Sequence, residues 1–327
     1  MPDGYVRPVL AAYAARFSSD DPVSALEVGE QPEPEARENW SVVDVRAAAL
    51  NHHDVWTLRG VGIRAEQLPM ILGTDAADDA VHDDLAPVGG HPGGASGHGV
   101  GADEPRSLLS ERYPGTFAEQ VAVPTWNLVD KPAALSFVEA ACLPTAWLTA
   151  YRMLFRSGGA TPGQRVLVQG AGGGLATAAI LLGAAAGLEV IVTSRSEERR
   201  TRALALGAAA AVESGARVPR ADVVLESVGK ATWSHSVRSV RPGGTIVVAG
   251  ATSGDAEPAE LTRIFFQEIT VVGTTMGTRD DLGHLLAFVA RTGVRPLVDS
   301  TFALADARAA VQRLVDGDQF GKIVLEP

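Results

Sequence analysis

Val166-Leu167-Val168-Gln169-Gly170-Ala171-Gly172-Gly173-Gly174-Leu175-Ala176 is a β-branched run, a glycine turn and the opening of a small-residue helix. A buried strand that ends in such a turn and feeds a helix makes a phosphate site. Glycines let the backbone approach a pyrophosphate, and the helix start offers unpaired N–H groups and the positive end of its dipole. Ala176 is small enough for the helix to pack near the strand. Gly170, Gly172, Gly173, Gly174 and Leu175 are therefore candidate cofactor residues. Strict G-x-G-x-x-G spacing fails, because Leu175 holds the third glycine position counted from Gly170. Context carries the motif, against a structural turn in some other α/β protein.

Further β-branched runs follow at regular intervals: Glu189–Thr193, Asp222–Glu226, Thr245–Ala249 and Ile269–Gly273, with Ala209–Val212 as a sixth strand. Helical segments at Leu175–Ala186, Glu197–Leu206 and Thr232–Val240 separate them. Alternation at this spacing predicts a parallel sheet covered on both faces. The short connection from Val212 to Asp222 leaves little room for a helix. Gly250, directly after the Thr245–Ala249 strand, joins the candidate cofactor residues.

The second strand runs out at Thr193-Ser194-Arg195-Ser196, about 20 residues past the turn, where a dinucleotide site reads the adenosine ribose. An acid there holds a free 2′-hydroxyl and repels a 2′-phosphate. Ser194 and Arg195 stand there instead, and arginine forms charge-assisted bonds to phosphate. Such bonds, at roughly 1.5–3 kcal/mol, give about ten- to hundredfold selectivity, and NADPH is the expected cofactor. Alternatively Arg195 is a solvated residue at a helix start. Arg199 and Arg200 are surface helix charges or assist the same phosphate.

Before this region, Ser41–Ala47 and Phe117–Val123 alternate like half-buried strands, and Asn51–Arg59 reads as a short helix. The stretch 82–105, rich in glycine with His82, His91 and His98, reads as a loop, because ordering so much glycine is entropically costly. A metal site on those histidines is the competing interpretation. After 278, amphipathic helices at Asp281–Arg291 and Leu304–Val315 and a strand at Gly321–Leu325 return to the first domain. The expected division is 1–125 with 278–327, a β-rich domain, and 126–277, a Rossmann domain.

With 327 residues the chain exceeds one comfortable core. A formal charge of −11 disfavours nucleic acid or an anionic membrane as partner. Cys142 is the single cysteine, so neither an internal disulfide nor a cysteine-rich zinc site can form. No signal peptide is read at the start, the most apolar run is too short to cross a bilayer, and the cytoplasm is the expected location.

Several segments together resemble the medium-chain dehydrogenase/reductases, in their zinc-independent quinone oxidoreductase-like branch. They are Ala49–Trp56, Leu72-Gly73-Thr74-Asp75, Gly115–Glu119, Glu139–Tyr151, the glycine turn and Phe320–Leu325, collinear over nearly the whole chain. The resemblance implies a GroES-like catalytic domain joined to the Rossmann domain. Zinc-dependent relatives place cysteine, histidine and cysteine where Asn51, Thr74 and Thr145 stand here. None of these replaces a thiolate or imidazole well, so no zinc is expected. Without a Lewis acid, hydride transfer to a quinone, enone or enal is favoured over oxidation of simple alcohols. Asn51, at a position that resembles one near the nicotinamide and would bond a cofactor ribose or a substrate carbonyl, and Thr145, expected in the same cleft, become candidate catalytic residues, with His52 and Tyr151 as possible donors, although Tyr151 stands where a helix packs. Asp54 caps or braces the local helix. Lys322 either approaches the cofactor phosphates or lies at the surface. Asp78 and Asp79 depart from the family pattern, and the glycine- and histidine-rich stretch replaces most of a region that shapes the pocket in relatives, so substrate choice is not transferable. A small-molecule substrate and a homodimer paired through Ile269–Gly273 are expected. The alternatives are carbonyl or alcohol redox chemistry, and a cofactor-binding protein without useful turnover.

Overall fold

The computed structural model describes residues 8–35, 37–78, 80–82, 107–256 and 258–327. The glycine- and histidine-rich stretch lies, from 83 to 106, outside the described residues, and His91 and His98 with it. Two compact units emerge: Met1–Thr145 with Thr278–Leu286 and Val298–Pro327, and Ala146–Gly277 with Ala287–Leu297.

Strands Arg165–Val168 (β1), Glu189–Thr193 (β2), Ala210–Val212 (β3), Ala221–Glu226 (β4), Val240–Val248 (β5) and Thr270–Gly273 (β6) build the second unit. They form one parallel sheet in the order β3-β2-β1-β4-β5-β6. The order reverses beside β1, which places the ligand crevice of such sheets at its carboxyl end. Val166, Leu167 and Val168 are fully buried, as a central strand covered on both faces requires. Helix Gly174–Ala185 (α1) follows the glycine turn, and Glu197–Ala205 (α2) and Trp233–Ser239 (α3) are the later crossovers. No helix forms between β3 and β4. The chain enters β5 at Val240, five residues before the β-branched run. Val240 pairs with Ala221 but Thr245 with Val223, so Arg241–Gly244 bulges.

The first unit is β-rich. Leu26–Pro32, Pro8–Ala14 and Met70–Ile71 form an antiparallel sheet. A six-stranded sheet runs Val298–Ala303, Lys322–Glu326, Ala47–Ala49, Asp75–Ala77, Ala80–His82, Leu128–Asp130. The run Ser41–Ala47 is two strands rather than one: Trp40–Asp44 pairs with Gln120–Pro124, whereas Ala47–Ala49 enters the larger sheet. Residues 126–145, expected with the nucleotide domain, belong instead to the first unit. There Leu128–Asp130 completes a sheet edge against Ala80–His82. The tail returns only in part: Thr278–Leu286 and Val298–Pro327 join the first unit, whereas Ala287–Leu297, expected with them, belongs to the second. In the first unit Leu26, Leu58, Leu72, Phe117 and Val311 share one buried core. No described helix is long and apolar enough to cross a membrane.

Glycine is forced at Gly115. A Cβ there would lie 2.3 Å from the Leu72 carbonyl oxygen and 2.4 Å from that of Gly73, backbone atoms that cannot swing aside. Gly115→Ala is expected to destabilise the protein by about 1–3 kcal/mol, read as a lower urea midpoint at unchanged m-value.

Candidate active site

Sheet register assembles the first unit's polar centre. Ala49 faces Asp75 on one side and Val324 on the other. Antiparallel pairing with the last strand continues to Leu50, whose N–H donates to the Ile323 carbonyl, and so brings Lys322 to Asn51. Asn51 leads into the helix His52–Leu58. All of Asn51, Thr74, Asp75 and Lys322 are buried. Thr145, half-buried, completes the group.

Hydrogen positions follow from what each group can donate. Lys322 Nζ donates to Leu50 O at 2.7 Å, Asn51 Oδ1 at 2.6 Å and Asp75 Oδ2 at 3.4 Å. Asn51 Nδ2 donates to Asp75 Oδ2 at 2.9 Å and Thr74 Oγ1 at 3.1 Å. The Thr145 hydroxyl gives its one proton to Asp75 Oδ1. The 3.2 Å bond between Thr74 and Thr145 therefore runs from Thr74 to Thr145. One lone pair of Thr145 Oγ1 remains for a ligand that donates.

Two expectations are corrected by this geometry. Lys322 neither lies at the surface nor reaches toward phosphates: it is 2% exposed, and its three N–H groups are spent inside the unit. Asn51 has no donor left for a substrate carbonyl, because its amide is used by Asp75, Thr74 and Lys322. Sequence reasoning missed Asp75 as the anion at the centre. The charge of a buried lysine needs such a partner, but only sheet pairing shows which acid supplies it.

Asp54 accepts from the N–H groups of Asn51 at 2.7 Å and Gly73 at 3.1 Å, bracing the helix start as one alternative held. Complete burial pushes its carboxyl up to about 6, although His53 and the Asn51 N–H act the other way. His52, an expected donor, is exposed. Desolvation by the surrounding protein, then repulsion from Lys322 and Arg59, lowers its pKa, so the ring is neutral at pH 7. The neighbouring His53 was not singled out from sequence. Its Nε2 lies 2.9 Å from Glu111 Oε1 and its Nδ1 3.4 Å from Ser110 Oγ. Burial opposes the charged ring, but the Glu111 bond and the charges of Asp54, Glu111 and Asp75 outweigh it and raise its pKa.

Could these residues hold a zinc ion? Among the described residues no three histidine, cysteine, aspartate or glutamate side chains gather as a metal site. More tellingly, the three positions of interest carry an amide and two hydroxyls, hard neutral donors whose polar atoms bond one another and an ammonium. This donor set does not fit zinc, which takes thiolate, imidazole and carboxylate.

The second unit holds the glycine turn at the carboxyl end of β1. Gly170 has φ +88°, a left-handed conformation that favours glycine. Its N–H donates inward to Thr193 Oγ1 at 3.2 Å, so Gly170 shapes the turn and does not supply a phosphate donor. Gly173 caps α1, and a Cβ there would meet nothing within 4 Å. Backbone here faces open space, with the orphan N–H groups of Gly174, Leu175 and Ala176 behind it. These residues fit a dinucleotide pyrophosphate. At Gly172 a Cβ would stand 3.0 Å from the Arg199 guanidinium, so that side chain lies against the turn. Ser194 is buried and Arg195 exposed, while Arg200 donates to the Ser194 carbonyl at 2.7 Å. Gly250 follows β5, where a Cβ would come 3.3 Å from Ser227 O. Tyr151 packs its ring 5.1 Å from Phe155, in keeping with a helix-packing position.

Comparison with known proteins agrees with this architecture. A family profile described as zinc-binding dehydrogenase matches residues 174–291, a span that contains none of Asn51, Thr74 and Thr145. The acryloyl-coenzyme A reductase of Sulfurisphaera tokodaii is 25% identical over 331 residues, covering 94% of this chain and 98% of its own. An NAD-dependent alcohol dehydrogenase of Saccharolobus solfataricus is 28% identical over 342 residues, covering 94% and 97%. A crystal structure of an NAD-dependent alcohol dehydrogenase superposes with a TM-score of 0.87 at 30% identity, covering 97% of this chain and 99% of that one.

The His53–Glu111 pair makes a pH-dependent contribution. A histidine whose pKa is raised by folding stabilises fully below its unfolded pKa, near 6.5, and loses that contribution as pH rises through the higher folded value. Glu111→Gln should therefore lower stability at pH 6 by up to about 1 kcal/mol and much less at pH 9. Thermal melts of both proteins across that range would show it, and equal losses at both ends would refute it.

Proposed function

The chain belongs to the medium-chain dehydrogenase/reductase superfamily, and on that premise we propose an NADPH-dependent, zinc-free reductase of activated double bonds or quinones. It is an oxidoreductase of α/β architecture, a GroES-like β-rich domain with a Rossmann domain. The observation that carries the proposal is the Lys322–Asn51–Asp75–Thr74–Thr145 cluster. Its members satisfy one another and leave no thiolate or imidazole, so alkoxide stabilisation by a bound metal has no donors here. An acceptor already polarised by a conjugated carbonyl, such as an enone, enal, enoyl thioester or quinone, needs less electrostatic help. The name of the Sulfurisphaera tokodaii relative favours the enoyl thioester within this class. Alcohol and carbonyl redox chemistry, which the names of the two alcohol dehydrogenases favour, is the second possibility.

Bound at the glycine turn, NADPH supplies the hydride. Gly174, Leu175 and Ala176 hold its pyrophosphate through backbone N–H groups. Arg195 and Arg199 hold the 2′-phosphate beside Ser194, where an acid would stand in an NAD site. Thr145 accepts a hydrogen bond from a ligand hydroxyl or amide, and Asn51, Thr74, Asp75 and Lys322 keep its lone pair aimed. His52, neutral and exposed, is the candidate hydrogen-bond donor to the substrate carbonyl. Reaction then depends on alignment and exclusion of water. We place the protein in the cytoplasm, where its one cysteine, buried Cys142, stays reduced.

Rapid mixing with NADPH and a panel of enones, enoyl thioesters, quinones and aldehydes tests the reading. Consumption of NADPH with the conjugated acceptors is expected; binding without consumption across the panel would leave only a cofactor-binding protein. Replacing Arg195 and Arg199 together by alanine should weaken NADPH by about ten- to hundredfold and leave NADH nearly unchanged. Tight binding of one zinc per chain, found by elemental analysis, would refute the zinc-free assignment.

We propose a homodimer paired through the sheet edge. Among the described residues β6 pairs on one side only, and Val271 on it is exposed, as are Leu261, Phe265 and Phe266 nearby. An apolar edge of this kind invites pairing unless covered. Sedimentation should show a dimer for the unaltered chain and a monomer after Phe265→Ser with Phe266→Ser; a monomer throughout would overturn this.

A further inference from the structure

Glu226, the last residue of β4, is 0% exposed, and nothing proposed above uses it. Four donors converge on its carboxylate. Val228 and Gly229 donate their N–H groups at 2.8 and 3.0 Å. The Thr232 hydroxyl lies 2.8 Å from Oε1, and the Ser236 hydroxyl 2.6 Å from Oε2. None of the four is a lysine or arginine. Burying a carboxylate this way is costly, and an apolar residue would serve a sheet end better.

The bonds beyond Ser236 lead to the glycine turn. Ser236 spends its proton on Glu226, so it must accept from Gln169, whose Nε2 lies 2.9 Å away. That fixes the Gln169 amide with Nε2 toward Ser236 and His235 Nδ1 and Oε1 toward Thr193. His235 Nε2 then carries the proton and donates to Ala216 O at 2.9 Å. Thr193 donates to Gln169 Oε1 at 2.9 Å and accepts from Gly170 N–H. Reversing any one link would set donor against donor or acceptor against acceptor in a buried place. The direction of the whole chain is set at Glu226, which can only accept. Through Val228 and Gly229 the same carboxylate holds the loop after β4; β5 ends beside it, where Ala249 N–H donates to the backbone carbonyl of Glu226 at 2.9 Å.

We propose that Glu226 is the positioning residue of the dinucleotide site, acting through Ser236, Gln169 and Thr193 to set the Gly170 turn that receives the pyrophosphate. The inference rests on the cofactor assignment above. It predicts that the relay matters for a ligand with a pyrophosphate and not for one without.

Calorimetric titration of the full chain with NADPH and with 2′-AMP, which has the 2′-phosphate but no pyrophosphate, tests it. Thr193→Val keeps the shape and removes one hydroxyl; Glu226→Gln turns an acceptor partly into a donor. Both should weaken NADPH at least fivefold and change 2′-AMP less than twofold, and Thr193→Ser should restore NADPH binding to within twofold. A smaller loss for NADPH, or an equal loss for 2′-AMP, overturns the proposal. Should Glu226→Gln fail to fold, Thr193→Val decides alone. An unaltered chain that binds no NADPH overturns the cofactor assignment and this inference with it. Normal binding by the unaltered chain and by Thr193→Val alike overturns only the inference.

Discussion

The buried pair Lys322–Asp75 is the constraint on which the first unit depends. Two charges removed from water must meet each other and find hydrogen bonds for their remaining sites, because a lone buried charge costs about 3–5 kcal/mol. Asp75 and Lys322 come from chain segments nearly 250 positions apart, and between them runs Ala47–Ala49. The pair therefore pins the last strand, the middle of the sheet and the start of the Asn51 helix in one register. Slippage by one residue would turn Lys322 to the opposite face and strand both charges.

Chemistry at the site follows from that register. With Lys322 on its oxygen, the Asn51 amide can point only one way, and the protons of Thr74 and Thr145 line up behind it. The centre thus presents a ligand with an acceptor rather than a cation. In the proposed reduction such a site would align reactants more than polarise them, which suits acceptors that are electrophilic already.

In the second unit the constraint is similar but its sign is reversed: an uncompensated carboxylate, Glu226, orders hydrogen bonds rather than pairing with a cation. Parallel strands end together along one edge, so the turn after β1 and the loop after β4 are neighbours. A single buried acceptor can hold both. The arginines at the end of β2 lie at the same edge, where Arg199 rests on Gly172.

Much of this was legible in the order of residues. Periodicities of strand and helix, and a glycine turn between β1 and α1, are local properties, set by backbone sterics and by which side chains must leave water. They sufficed for the parallel sheet and for the glycine turn that joins β1 to α1. What tertiary structure alone decided is the pairing of polar groups distant in sequence. Lys322 could have served a phosphate or the solvent, and Asn51 a substrate; long-range sheet register gave both to Asp75. Glu226 looked like any strand end until the sheet set Ser236, Gln169 and Thr193 in line with it. Burial makes such partnerships obligatory, but only the folded chain determines who the partners are.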